Sequence, residues 1–321
     1  MYCNKILSVF IVYFSLNLSH GQKDIKFFRN DYIYLEATES FYKINSLTKN
    51  FFDAKRACSL EGASLWYPEN KEEAEAVISY WNSTQPTWWS VTLGMSDLIV
   101  KGLFETIDGK RVSDVYHNWN LGEPNNSGNI EDCVVIVSTG KMIDISCNIM
   151  NPFICKKTLQ SLEWNQQCNM PDLDYKYNEK TEKCYKIHPV PLNWTEAYNV
   201  CSSEQSHLPV ANDWVVINTL VKLFETAPKE WNAGSYLRGM YHLGIHNRFN
   251  DGWQTVKGTP FNNSLALWGT RLNEGSYDQC GAMFYTGRLT QVDCSLKSFF
   301  ICEHDRVDLT SHTKNEENLP I

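Results

Sequence analysis

Two amphipathic helical patterns followed by short apolar runs recur in both halves of the chain. Phe51, Ala54 and Cys58 fall on one helical face, with Asn50 and Asp53 placed as a cap and its third-position partner. Ala74, Val77, Ile78 and Trp81 give an i, i+3, i+4, i+7 stripe behind Asn70 and Glu73. In the second half, Trp194, Ala197, Tyr198 and Cys201 form one stripe behind Asn193, and Ile217, Leu220, Val221 and Phe224 form the other. These stripes read as faces that bury in a core, not as sites. The period then changes. Trp89-Ser-Val-Thr-Leu-Gly94-Met95 and Tyr241-His-Leu-Gly244-Ile245-His246 hold equivalent places, and Asp108-Gly109 is a tight-turn pair. Val134 to Val137, Phe153 to Cys155 and Phe299 to Cys302 are apolar runs of strand length. Helices followed by strands and long loops predict an α+β class.

The cysteines make the repeat numerical. Cys133 to Cys147 and Cys280 to Cys294 both span 14 positions, and Cys147 to Cys155 and Cys294 to Cys302 both span 8. Cys58 to Cys155 is 97, against 101 for Cys201 to Cys302. Such self-similarity in 321 residues implies two tandem domains. Eleven cysteines are present; ten lie beyond Cys3, and an even set at ordered spacing implies a disulfide framework in an oxidising compartment. The sequence has no Cys-x-x-Cys, which removes a zinc knuckle or a thioredoxin-like motif.

Residues 1–21 agree with that compartment. Lys5 gives a positive start, Ile6 to Leu18 is largely apolar, and Ser19-His20-Gly21 offers small residues before a cut at Gln22. The run is short for a membrane span. We read residues 1–21 as a signal peptide, and the protein as secreted and extracellular, with no membrane anchor and a polar tail over 305–321. Net charge is −8, or −9 without the first 21 residues, which argues against a nucleic-acid partner.

The candidate chemistry lies in Trp119-Asn-Leu-Gly-Glu123-Pro124-Asn125, followed by Glu131-Asp132-Cys133 and Asp144-Ile145-Ser146-Cys147. Carboxylates and an amide around a proline are oxygen ligands suited to a hard cation such as Ca²⁺. The proline fixes a turn that aims its neighbours, and a cis bond would serve that purpose. These motifs resemble the Ca²⁺-dependent sugar site of the C-type lectin family, over residues from about 38 to 303.

The resemblance implies two disulfide-bonded C-type lectin-like domains, 22–158 and 159–304, each with two helices and short antiparallel sheets with long loops. It pairs Cys58 with Cys155, Cys133 with Cys147, Cys201 with Cys302 and Cys280 with Cys294. Cys168 and Cys184 are left to pair at the start of the second domain. It makes Glu123, Asn125, Glu131 and Asp144 the Ca²⁺ and ligand-binding residues of the first domain, with mannose-type ligands. Ile143 departs from the family pattern by standing where a second Asn supplies an oxygen, and Met142 stands where Trp is usual. The second domain lacks the tripeptide; Asn273, Glu274, Asp278 and Asp293 are the polar residues left there. The implied function is a secreted carbohydrate-binding protein whose partners are glycans or a glycoprotein, with innate defence as the family-level role. The alternative is a protein-interaction module of the same fold that needs no Ca²⁺. No enzymatic activity is expected. His242 and His246 lack the Glu of a zinc-protease motif, and nothing marks Glu123 and Glu131 as a glycosidase pair.

Glycosylation acceptors stand at Asn82, Asn193 and Asn262. Asn125-Asn126-Ser127 is a fourth formal acceptor, but a rigid turn beside proline is a poor acceptor conformation. Trp66-Tyr67 and Trp88-Trp89 are aromatic pairs that suit either core or sugar stacking.

Overall fold

The computed structural model describes residues 26–226, 235–261, 268 and 278–306. The signal-like segment, Asn262, Asn273, Glu274 and the tail from residue 307 lie outside them, as does the side chain of Asp278. Among these residues, two sheet-rich lobes carry two α-helices each.

In lobe one, β1 (Ile33–Leu35), β2 (Ser40–Lys49), β8 (Asn151–Thr158), β4 (Ser90–Ser96), β6 (Cys133–Val137) and β7 (Met142–Ile145) lie in that order, with β3 (Ser64–Leu65) on β8 and β5 (Glu105–Thr106) on β4. In lobe two the order is β14 (Leu289–Asp293), β13 (Asp278–Phe284), β11 (Leu237–His246), β15 (Ser298–Asp305), β10 (Lys183–Leu192) and β9 (Lys176–Asn178), with β12 (Gln254–Thr255) on β11. Between these strands, pairing is antiparallel except where β4 meets β8 and β11 meets β15.

The helices form where the stripes fall. Helix α1 (Phe51–Leu60) is capped by the Asn50 side chain, which accepts from the Asp53 N–H at 2.8 Å, and it buries Phe51, Ala54 and Cys58. Helix α2 (Lys71–Thr84) repeats this with Asn70 and Glu73, and buries Ala74, Val77 and Trp81. Helix α3 (Trp194–Ser203) begins in a full capping box between Asn193 and Glu196. Helix α4 (Trp214–Thr226) turns Ile217, Leu220 and Phe224 inward. Each cap satisfies an N–H that the first turn leaves without a partner.

Gly94 and Gly244 have matching reasons to be glycine. A Cβ on Gly94 would lie 2.5 Å from the Leu65 carbonyl oxygen, and one on Gly244 would lie 2.2 Å from that of Leu208. The central strand of each lobe therefore passes against backbone, where no side chain fits. The five bridges pair Cys58–Cys155, Cys133–Cys147, Cys168–Cys184, Cys201–Cys302 and Cys280–Cys294.

The segment before β1 ties the lobes together. Phe28 packs on Tyr32 and Phe41 of lobe one, and Asp31 pairs with Lys43. From the same segment, Arg29 reaches Glu204 of lobe two at 2.6 Å, and the Asn30 N–H donates to the Ser203 carbonyl at 2.8 Å. Glu204 also accepts from Lys186 at 3.0 Å and Tyr175 at 2.9 Å. Burial alone would raise the Glu204 carboxyl, but contact with His188 and the charges of Lys186 and Arg29 hold it well below the usual range.

No helix among the described residues is long and apolar enough to cross a membrane.

Candidate functional site

The site grows from β7 and the turn that precedes it in space. The Asn120 N–H donates to the Met142 carbonyl, and the Met142 N–H donates to that of Asn118, both at 2.8 Å. This zips the chain around Trp119 onto β7. Met142 fills the core beneath, fully buried, with Trp119 packed on that core and against Phe104 at 5.2 Å between ring centroids. Above it, Asn120 to Glu123 form a turn closed by the Glu123 N–H on the Asn120 carbonyl at 3.0 Å. Gly122 occupies the left-handed corner at φ 86°.

The Glu123–Pro124 bond that follows is cis. Beyond it the chain turns over the buried Asp144 carboxylate. The N–H groups of Asn125 and Asn126 donate to the two Asp144 oxygens at 3.0 and 2.8 Å. Asn126 adopts the left-handed conformation at φ 48°, which Asn tolerates better than most residues. Its side-chain oxygen accepts from the Glu131 N–H at 3.3 Å, and the Glu131 carboxylate accepts from the Ser127 N–H at 2.8 Å. Asn126 thus closes the loop that carries Glu131. In the sequence Asn126 is marked only as the middle residue of a glycosylation acceptor, which gives no sign of this role.

Glu123, Asn125, Glu131 and Asp144 accordingly share one loop system. One Glu123 carboxylate oxygen is buried with no hydrogen-bond partner. Burial raises the Glu123 carboxyl above its ordinary value, and the neighbouring acids Asp144 and Glu131 raise it further. An orphaned acidic oxygen facing two other carboxylates fits an oxygen-preferring cation. Asp144 and Glu131 keep spare lone pairs beside their N–H partners. The fit has two shortfalls. Ile143, half-buried on β7 beside Asp144, brings no oxygen. Among the described residues, two other groups have three candidate ligand atoms within 4.8 Å of one another, His188–Glu204–Cys302 and His207–Glu303–Asp305; Glu123, Glu131 and Asp144 do not form such a group. In the first group Cys302 is in a disulfide, and in the second Lys183 and Lys257 hold the carboxylates at 2.5 Å each.

In lobe two, Asp293 caps its own turn by accepting from the Ser295 N–H at 2.8 Å. His242 is fully buried with a ring nitrogen 3.0 Å from the Leu192 carbonyl, and burial lowers its pKa to about 4. It is a core residue. Trp66 and Tyr67 are buried, while Trp89 is largely exposed. Asn82 is exposed on α2, and Asn193 is half-buried at its cap.

The Lectin C-type domain family model matches residues 47–157 and again 190–304. The chain belongs to the C-type lectin domain family and carries that domain twice. Collectin-10 of Xenopus tropicalis is 28% identical over 142 residues, which is 44% of this chain and 50% of the relative. Collectin-11 of Bos taurus is 31% identical over 134 residues, 41% of this chain and 49% of the relative. C-type lectin domain family 4 member M of Nomascus concolor is 36% identical over 118 residues, 36% of this chain and 28% of the relative. The chain thus spans about half the length of the collectins it matches, or less. Among solved structures, the mouse scavenger receptor C-type lectin carbohydrate-recognition domain is 26% identical, covers 40% of this chain and 94% of its own, and has a TM-score of 0.36.

Proposed function

We propose that the chain is a secreted glycan-binding protein, with domains at 22–158 and 159–304, that binds mannose-type sugars through Ca²⁺ in lobe one. Glu123, Asn125, Glu131 and Asp144 hold the ion, and neighbouring sugar hydroxyls complete its shell. The observation that carries this reading is the buried Glu123 oxygen with no partner, set among two further acids. A cation offsets that charge, and Ca²⁺ accepts water at a missing position, so Ile143 lowers affinity without removing the site. Membership of the family and similarity to collectins support sugar as the ligand. A role in innate-defence recognition follows from the same similarity. Asn82, Asn193 and Asn262 carry the N-glycans.

Retention of the whole chain on immobilised mannose tests the reading. The protein binds with Ca²⁺ present, elutes with EDTA, and loses retention on Glu123→Gln. No retention on mannose with Ca²⁺ present favours the second reading, a Ca²⁺-independent protein contact, for which Ile143 speaks.

A further inference from the structure

Behind Glu131 the chain places a cation of its own. Lys101 lies in the loop between β4 and β5, and its ammonium donates to the Glu131 carbonyl at 2.8 Å and to an Asp132 carboxylate oxygen at 2.5 Å. Asp97 brings a second carboxylate to 3.6 Å of the same nitrogen. Asp97 is 3% exposed, so it is fixed by its surroundings. One of its oxygens accepts from the Gly102 N–H at 2.7 Å, and the other is buried with no hydrogen-bond partner. The Asp97 N–H in turn donates to the Asp132 carbonyl at 3.0 Å. Gly102 at φ 80° turns the chain back so that Lys101 reaches over Asp97.

Two carboxylates and a carbonyl therefore converge on one ammonium, next to the residue that offers its own carboxylate to the candidate Ca²⁺ site. Without that positive charge, Asp97 and Asp132 would repel each other and the acids around Glu123, and the Glu131 backbone would lose its tie to the 97–103 loop. The Lys101 side chain is 44% exposed, so it is held by its oxygen partners more than by packing.

We propose that Lys101 is a positioning residue for the lobe-one site: its ammonium acts as a resident cation that fixes the backbone at Glu131 and Asp132, so that the Glu131 carboxylate is in place before any Ca²⁺ arrives. The function assigned to Lys101 rests on the Ca²⁺ reading above; the clamp itself does not, which lets the two be tested apart.

The test compares the whole chain with Lys101→Met and with Lys101→Arg, which keeps the charge. Amide exchange is measured in EDTA, and Ca²⁺ affinity by calorimetry. In EDTA, Lys101→Met loses protection at Asp97 and Gly102 and also at Ser127, whose N–H reports the Glu131 carboxylate; Lys101→Arg restores it. Ca²⁺ affinity falls about 10- to 100-fold on Lys101→Met, the range for losing a group that orients a ligand, and recovers on Lys101→Arg. Unchanged Ser127 protection on Lys101→Met overturns the proposal, and so does a lower melting temperature with Ca²⁺ affinity intact. If the unsubstituted chain binds no Ca²⁺, the metal reading falls and the proposed role falls with it, while the EDTA exchange still shows whether Lys101 holds Glu131.

Discussion

Glu123 and Ile143 set the terms of the site. Glu123 contributes charge that the fold leaves uncompensated, and Ile143, next to Asp144 on β7, offers no side-chain oxygen. Under the proposed Ca²⁺ reading, an amide at that position would add both a cation ligand and a hydrogen bond to a sugar hydroxyl, a gain of about 1–3 kcal/mol, or roughly ten- to hundredfold in affinity. Ile143→Asn is therefore expected to tighten Ca²⁺ and mannose binding together, read by calorimetry; unchanged affinities would mean that residue 143 does not face the ligand. The ligand candidates were legible because they sit in three short motifs, one around a proline and two ending on a cysteine. Lys101 and Asp97 were not, because their role comes from the return of one loop onto another 30 residues away. A lysine between apolar neighbours in a loop carries no spacing signal.

At the scale of elements, the sequence reading matched wherever burial imposes a period. All four helical stripes turn inward, and the residues read as caps are the caps. The two tryptophan- or tyrosine-led strands also share their reason for a glycine, which spacing alone did not supply. Adding a methyl at Gly94 drives it into the Leu65 carbonyl, so β3 and β4 must separate. Gly94→Ala is expected to cost about 1–3 kcal/mol, the usual penalty of overpacking, as a lower urea midpoint with the slope unchanged. A neutral result would show that β3 moves freely and is not part of the frame. The parallel meetings of β4 with β8 and of β11 with β15 were not legible, since a short apolar run does not say which way its neighbour points.

The whole molecule is joined by a segment the sequence left blank. Residues 26–32 are mixed in polarity and show no period, yet Arg29 crosses to Glu204, 175 positions away, at a place where both are almost fully buried. Removing one partner of a buried ion pair typically costs about 3–5 kcal/mol; Lys186 stays on Glu204, so the lower end applies here. Arg29→Met is expected to lower the melting temperature and split a single calorimetric transition into two, as the lobes lose their coupling. A single unshifted transition would mean that the lobes are held by other contacts. The family matches begin at residue 47, so this strap is a feature of the chain outside its matched domains.

Lobe one is proposed to bind Ca²⁺ through Glu123 and its neighbours and to use the ion to hold sugar. Calorimetric titration of Ca²⁺ into the whole chain, with and without mannose, tests it most directly. The expected result is binding in roughly the micromolar to millimolar range, tightened by mannose and abolished by Glu123→Gln. The absence of any Ca²⁺ heat, with a melting temperature that Ca²⁺ does not move, would contradict it.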